Sequence, residues 1–309
     1  MTTSVDKAAD KPVSTRPPLS ERLVEGLIRL AGISVIIIVL LIFLFLVMEG
    51  FPTFTQVPLS DLLSNRWYPI EDRYGILPLL VGSLMVTVGA VIIAVPLGLI
   101  TAIYLGEIAP VWQREILKPV IEILAGIPSI VLGFFGWIAL APTIQKLGAP
   151  SGLTGFTGSL ILAYMSLPTI VSITEDALYA VPKEYRDGSL AMGATRWQTI
   201  WRVVVPAARS GIVIAVMLGI GRAIGETMAV MLVTGNAANI PGGAGFLFQP
   251  VRTMTATIAA EMGEVAQGSL HYSVLFGIGI ILFVITFLIN SLASWLVGGN
   301  GGRRRGGQL

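Results

Sequence analysis

Hydrophobic positions along this chain come in long runs separated by shorter charged stretches. Crossing about 30 Å of hydrocarbon takes about 20 apolar residues in a helix. Six stretches qualify: Leu27–Met48, Leu79–Tyr104, Pro119–Leu140, Thr157–Ile173, Ala207–Val233 and Tyr272–Val297. The fourth is the shortest and contains Pro168, while Pro96 and Pro128 fall inside the second and third. Such prolines are tolerated where neighbouring helices satisfy the freed carbonyl, so kinked helices in a packed bundle are predicted. The pattern predicts an all-α integral membrane protein with six transmembrane helices. Met1–Glu25 is polar and charged, and Leu30–Met48 is uncharged and longer than the apolar region of a signal peptide. It therefore reads as a retained helix preceded by a cytoplasmic tail.

Charge sets the orientation, because lysine and arginine accumulate on the cytoplasmic side. Of 20 lysines and arginines, only Arg66, Arg73, Lys146 and Arg252 fall in outer segments when the N-terminus is inside, and Arg222 lies within a span. Both termini are predicted to be cytoplasmic, in the cell (inner) membrane. Two sizeable outer segments result, 49–78 and 234–271, and one large inner loop, 174–206. The second outer segment contains Gly235, Pro241, Gly242, Gly243 and Gly245 and is predicted to be irregular. Within it, Val251–Met262 is expected to form a short helix lying at the membrane surface. The stretch 298–309 is rich in glycine and arginine, a basic tail attracted to anionic lipid.

Composition narrows the chemistry. Hydrophobic residues make up 54% of the 309 positions and charged residues 12%, about half the charged share of a soluble domain. A net charge of +2 is too small to point to nucleic acid. With no cysteine, disulfides, thiolate catalysis and cysteine-bound metals are excluded. A single histidine, His271, leaves neither a metalloprotease motif nor a histidine-based triad. Every lysine lies outside the spans, so a serine–lysine dyad within lipid is excluded too. None of the lysines follows a glycine, so the Gly-Lys-Ser/Thr of a phosphate loop is missing and the chain carries no ATPase of its own. A self-powered secondary transporter or channel is the rival class; it would normally show more helices and two related halves with broken helices, and no internal repeat is visible.

The inner loop is far longer than a hairpin between helices needs. A short helix is predicted from Pro182, broken at Gly193, and a second from Thr195, with Gln198 completing a capping box. In the second, Trp197, Ile200 and Trp201 share one face by spacing, flanked by Arg196 and Arg202. Residues alone leave two readings open: an interfacial amphipathic helix, or a rigid elbow that seats in another protein.

This pattern resembles the cytoplasmic coupling loop of ABC-type import permeases, commonly Glu-Ala-Ala, three residues, Gly, nine residues, Ile-x-Leu-Pro. The matching positions are Asp187, Gly188 and Ser189, then Gly193, then Val203, Val205 and Pro206. Spacing is kept, whereas the acidic triplet reads Asp-Gly-Ser. Three stretches, Ala125–Gly136, Leu190–Trp197 and Gly221–Val230, look like the phosphate branch of the family. The resemblance covers about residue 75 onward, making 75–297 the core of a permease domain 26–297. It implies the fold of a type I importer permease with cytoplasmic coupling helices, in which Asp187, Gly188, Ser189, Gly193, Thr195, Arg196 and Trp197 face an ATPase. It implies as partners a second related permease, two ATPase subunits holding ATP and Mg, and an extracytoplasmic phosphate-binding protein. The runner-up within the family is a permease for sulfate, molybdate or another small solute.

Arg222 and Glu226 stand four residues apart within the fifth span and are expected on one helix face. An arginine at the bilayer centre costs about 2.5–3.5 kcal/mol on insertion scales, so something must offset it. Either the two neutralise each other or bond a neighbouring helix, or they line an aqueous pathway where Arg222 meets an anion and Glu226 tempers its grip. Arginine N-terminal to glutamate is the weaker order for pairing, and a planar, permanently charged donor suits phosphate. Thr227 and Thr234 are expected to add polar lining, and Gly221-x-x-x-Gly225 to form a close-packing face.

Overall fold

The structure is a computed structural model and describes residues 19–298; the two expected tails lie outside the described residues, up to residue 18 and from residue 299. The described residues divide into two compact units, one up to Leu46 and one from Val47. The first is represented by most of α1 (Leu19–Gln56). This helix starts inside the stretch expected to be a tail, because residues 19–25 continue its backbone and Arg29 pairs with Glu25 one turn away at 2.6 Å. From Leu27 to Phe45 its apolar side chains are exposed on every side. A helix apolar all round belongs in lipid or against another subunit.

The second unit holds α2 (Leu59–Leu62), a hairpin of β1 (Trp67–Tyr68) and β2 (Arg73–Tyr74), and the helices that follow. These are α3 (Leu77–Ile103), α4 (Val111–Gly126), α5 (Ser129–Phe135), α6 (Ala141–Lys146) and α7 (Gly155–Tyr179). After them come α8 (Lys183–Ala191), α9 (Arg196–Thr199), α10 (Val205–Gly225), α11 (Met228–Val233), α12 (Met254–Glu261) and α13 (Leu270–Gly298). Single π-helical turns extend α3 to Ile108, join α5 to α6, and join α9 to α10. Among the described residues six helices are long and apolar enough to cross a membrane.

The core is centred on α7, whose apolar window is 61% buried, more than that of any other span. Between helices in lipid there is little hydrophobic gain, so close packing and polar contacts hold them. Ile170 of α7, almost wholly buried, is wedged between Gly98 of α3 and Gly219 of α10, and a Cβ at either glycine would lie 2.6–2.7 Å from it. Ser159 donates to the Val86 carbonyl of α3 at 3.2 Å, and Ser166 to the Gly219 carbonyl of α10 at 3.3 Å. Pro168 sits within α7 without interrupting it.

Three expectations need correction. The third span is Ser129–Lys146, not Pro119–Leu140. Pro128 leaves Ile127 extended, so the helix breaks there and the charged stretch before it folds separately as amphipathic α4. The fifth span ends at Gly225 and resumes at Met228. Finally, α12 does not lie on the surface. Its small residues Ala256 and Thr257 are fully buried, and it packs against α3, α11 and α13. The Met254 amide donates to Ser83 Oγ of α3 at 2.9 Å.

Glu261, at the end of α12, gathers residues from distant segments. Its Oε1 takes Arg252 Nη1 at 2.8 Å and Trp67 Nε1 at 3.1 Å, and its Oε2 lies 2.8 Å from His271 Nε2. A carboxylate at a helix C-terminus opposes the dipole, and these partners offset it. Tyr74 packs beside Trp67 and His271. Burial, then its bond to Asp72, pushes the Tyr74 phenol up to about 12, so it stays protonated.

Candidate functional site

The inner loop forms a capped double helix. Pro182 precedes α8 as its cap rather than opening its first turn. At the other end, Gly193 adopts φ +84°, its amide donates to the Leu190 carbonyl at 3.0 Å, and the Ala194 amide donates to the Ser189 carbonyl at 3.2 Å. That pair of bonds is a Schellman closure, which calls for a left-handed residue and favours glycine. Two residues later Thr195 begins α9. Its Oγ1 accepts from the Gln198 amide at 3.2 Å, and Gln198 Oε1 accepts from the Thr195 amide at 2.9 Å. The elbow angle is thus fixed by backbone bonds, and Ser189 and Thr199 hydroxyls 3.0 Å apart tie the two helices together.

Asp187, Gly188, Thr195, Arg196 and Trp197 are all exposed on this elbow, with Ser189 half-buried beneath. Around them Met192 is 89% exposed and Trp197 58%, a large apolar surface for a loop otherwise rich in charge. Trp197 and Trp201 meet edge to face at 5.6 Å. Ile200 does not join them, as the spacing suggested. It is buried with Leu178 and Val204, at the edge of the helix that faces the chain.

The second site is the break in the fifth span. Glu226 ends the helix (φ −69°, ψ 133°), the chain turns away after it, and it forms no ion pair with Arg222. Instead Arg222, in the last turn of α10, is exposed and donates from Nη1 to Thr169 Oγ1 of α7 at 3.4 Å. A cation in a last helical turn is favoured by the dipole. Glu226 Oε1 accepts from the Ala229 amide at 3.1 Å, and the Glu226 carbonyl accepts from Thr255 Oγ1 of α12 at 2.8 Å. Thr227 caps α11 and donates to the Gly225 carbonyl at 3.2 Å.

Thr234, expected to line the same region, is fully buried and donates to Val230. Among the described residues, nothing beyond their own stretch of helix lies within 4 Å of a Cβ added at Gly221 or Gly225. Gly211 and Gly219 are the close-packing glycines of this helix, where an added Cβ would collide with Ala177 and lie 2.6 Å from Ile170, respectively, so the small-residue pair faces away from the chain's own core. Unwound backbone at membrane depth is tolerated where it lies within protein or beside water. The break therefore presents Arg222, Glu226 and Thr227 together at the edge of the bundle.

Sequence reasoning missed the ionic links of Arg186 with Glu107 at 2.6 Å, and of Lys118 with Glu175 at 3.3 Å and Asp176 at 3.8 Å. Their partners lie far apart in the chain, and no local pattern announces them.

The model of the binding-protein-dependent transport system inner membrane component family matches residues 94–300. A probable ABC transporter permease protein, YqgH, of Bacillus subtilis is 43% identical over 242 residues, covering 77% of each chain. A phosphate transport system permease protein, PstC, of Mesorhizobium japonicum is 38% identical over 299 residues, covering 90% of each. Among solved structures, a bacterial alginate ABC transporter crystallised with its pentasaccharide-bound periplasmic protein aligns with TM-score 0.59 at 16% identity, covering 89% of this chain and 96% of that one. That likeness supports the fold.

Proposed function

This chain belongs to the family of binding-protein-dependent transport system inner membrane components, and from that premise we propose that it is one of two related membrane subunits of an ATP-driven importer for inorganic phosphate. The names of its relatives support the solute. The observation that carries the mechanism is the rigid, capped elbow with exposed Met192 and Trp197 on a chain that has no phosphate loop. Such a surface fits a groove in a separate ATPase, which binds ATP and Mg. Two ATPase copies move the elbows of the two permeases, and an extracytoplasmic phosphate-binding protein delivers the anion at the outer face. Arg222, at the break, meets phosphate in passage with a planar, charge-assisted donor. Glu226 and Thr227 hold the unwound backbone beside it.

Phosphate starvation of cells lacking this chain provides the test. Uptake of radiolabelled phosphate should fall to background while sulfate uptake stays normal; the reverse would transfer the role to the other oxyanion. Sidedness is checked separately, with the elbow and both termini facing the cytoplasm. Cysteines placed at Ser60 and Gly243 should react with an impermeant reagent in intact cells, and Ser189→Cys should not. The cysteine-free sequence makes that labelling unambiguous, and outside labelling at Ser189 would invert the orientation.

A further inference from the structure

We propose that Arg186 and Glu107 form the strut through which movement of the elbow reaches the transmembrane bundle, an inference that rests on the reading of the elbow as the ATPase contact. The elbow's first helix is poorly seated. No residue of α8 is buried, and its main backbone neighbours among the described residues are α9 and the π turn that leads into α10. The chain itself joins it to α7 through residues 180–182, and one side chain ties it to the turn that ends α3 and back onto the last turn of α7. Arg186 Nη2 and Nε grip Glu107 Oε1 and Oε2 at 2.6 and 3.3 Å. The same guanidinium donates to the Val181 carbonyl at 2.6 Å and the Leu178 carbonyl at 2.8 Å. Both partners are shielded, with side chains 21% and 10% exposed.

Glu107 is itself held. It sits in the π turn that ends α3, where the Ala109 amide bonds the Tyr104 carbonyl at 2.7 Å. Arg114 of α4 pins that turn by donating to the Leu105 and Gly106 carbonyls, both at 2.9 Å. Lys118, one turn further along α4, pairs with Glu175 of α7. A pull or push on α8 is therefore delivered to a rigid junction of α3, α4 and α7. Apolar contact holds surfaces together but lets them slide, whereas a two-pronged ionic bond resists separation and fixes orientation as well. That property is what a part driven in both directions requires.

The test uses the complete transporter in proteoliposomes, measuring phosphate carried per ATP hydrolysed. Glu107→Gln keeps shape and an acceptor, and Arg186→Lys keeps charge while losing the fork. Each should lower that ratio by about tenfold, the scale of one charged hydrogen bond, while the ATPase still co-purifies. The Glu107→Gln/Arg186→Gln double variant should be no worse than either single change. An unchanged ratio overturns the strut, and so does loss of uptake in step with loss of assembled complex, which marks a merely structural bond. Crosslinking from Met192→Cys to the ATPase, read in the same preparations, separates the underlying reading. Without that crosslink in the otherwise native chain the elbow is not the ATPase contact and both ideas fall. With the crosslink and a normal ratio, only the strut falls.

Discussion

Arg222→Gln is expected to cut phosphate uptake by one to two orders of magnitude at unchanged membrane level. Glutamine keeps length and polarity and can still meet Thr169, so insertion and assembly should survive. What is lost is a charged hydrogen bond to the anion, worth about 1.5–3 kcal/mol, or about ten- to a hundredfold. Arg222→Lys should retain part of the activity, since the charge persists without the planar fork. The broken helix sharpens what to expect of Glu226. It does not neutralise Arg222 directly, since its carboxylate accepts from the Ala229 amide. Glu226→Gln preserves that acceptor, so assembly should be unaffected and any change should lie in release of the anion. Uptake of radiolabelled phosphate in the reconstituted complex, at matched protein levels, decides. Near-normal uptake by Arg222→Gln would reduce the residue to a packing feature.

Gly193→Arg should be nearly as damaging, for a different reason. The left-handed backbone at this position costs a residue with a Cβ roughly 1–2 kcal/mol, enough to loosen the Schellman closure without unfolding a bundle anchored elsewhere. Among the described residues, no atom beyond its chain neighbours lies within 4 Å of a Cβ built there, so the arginine would project outward from the elbow onto whatever docks. Uptake should collapse while the permease still inserts, and the ATPase should co-purify weakly or hydrolyse ATP without regard to the binding protein. Normal transport by this variant would show that the loop is not the coupling element.

How much of this was legible in the residues depends on the reach of each interaction. The elbow was readable nearly residue by residue, because Gly193, Thr195 and Gln198 act on backbone groups only a few positions away. The six spans were readable because hydropathy is a local sum, apart from the third, where Pro128 ended a helix that composition alone carried through. The break after Gly225 was not readable. Apolar residues flank it on both sides, and it is held by Thr255 of α12, a partner distant in sequence.

The chain by itself determined that it lives in lipid, that a rigid loop leaves the bundle on one side, and that Arg222 needs an explanation. Local propensity, capping and the cost of burying charge are properties of short stretches, and they survive without the fold. Only the tertiary structure decided that Arg222 turns to Thr169 instead of Glu226, that α12 sits inside the bundle, and that Arg186 reaches Glu107 across 79 positions. Those outcomes come from contacts between elements, where helix packing selects which distant groups meet and no local pattern encodes the choice.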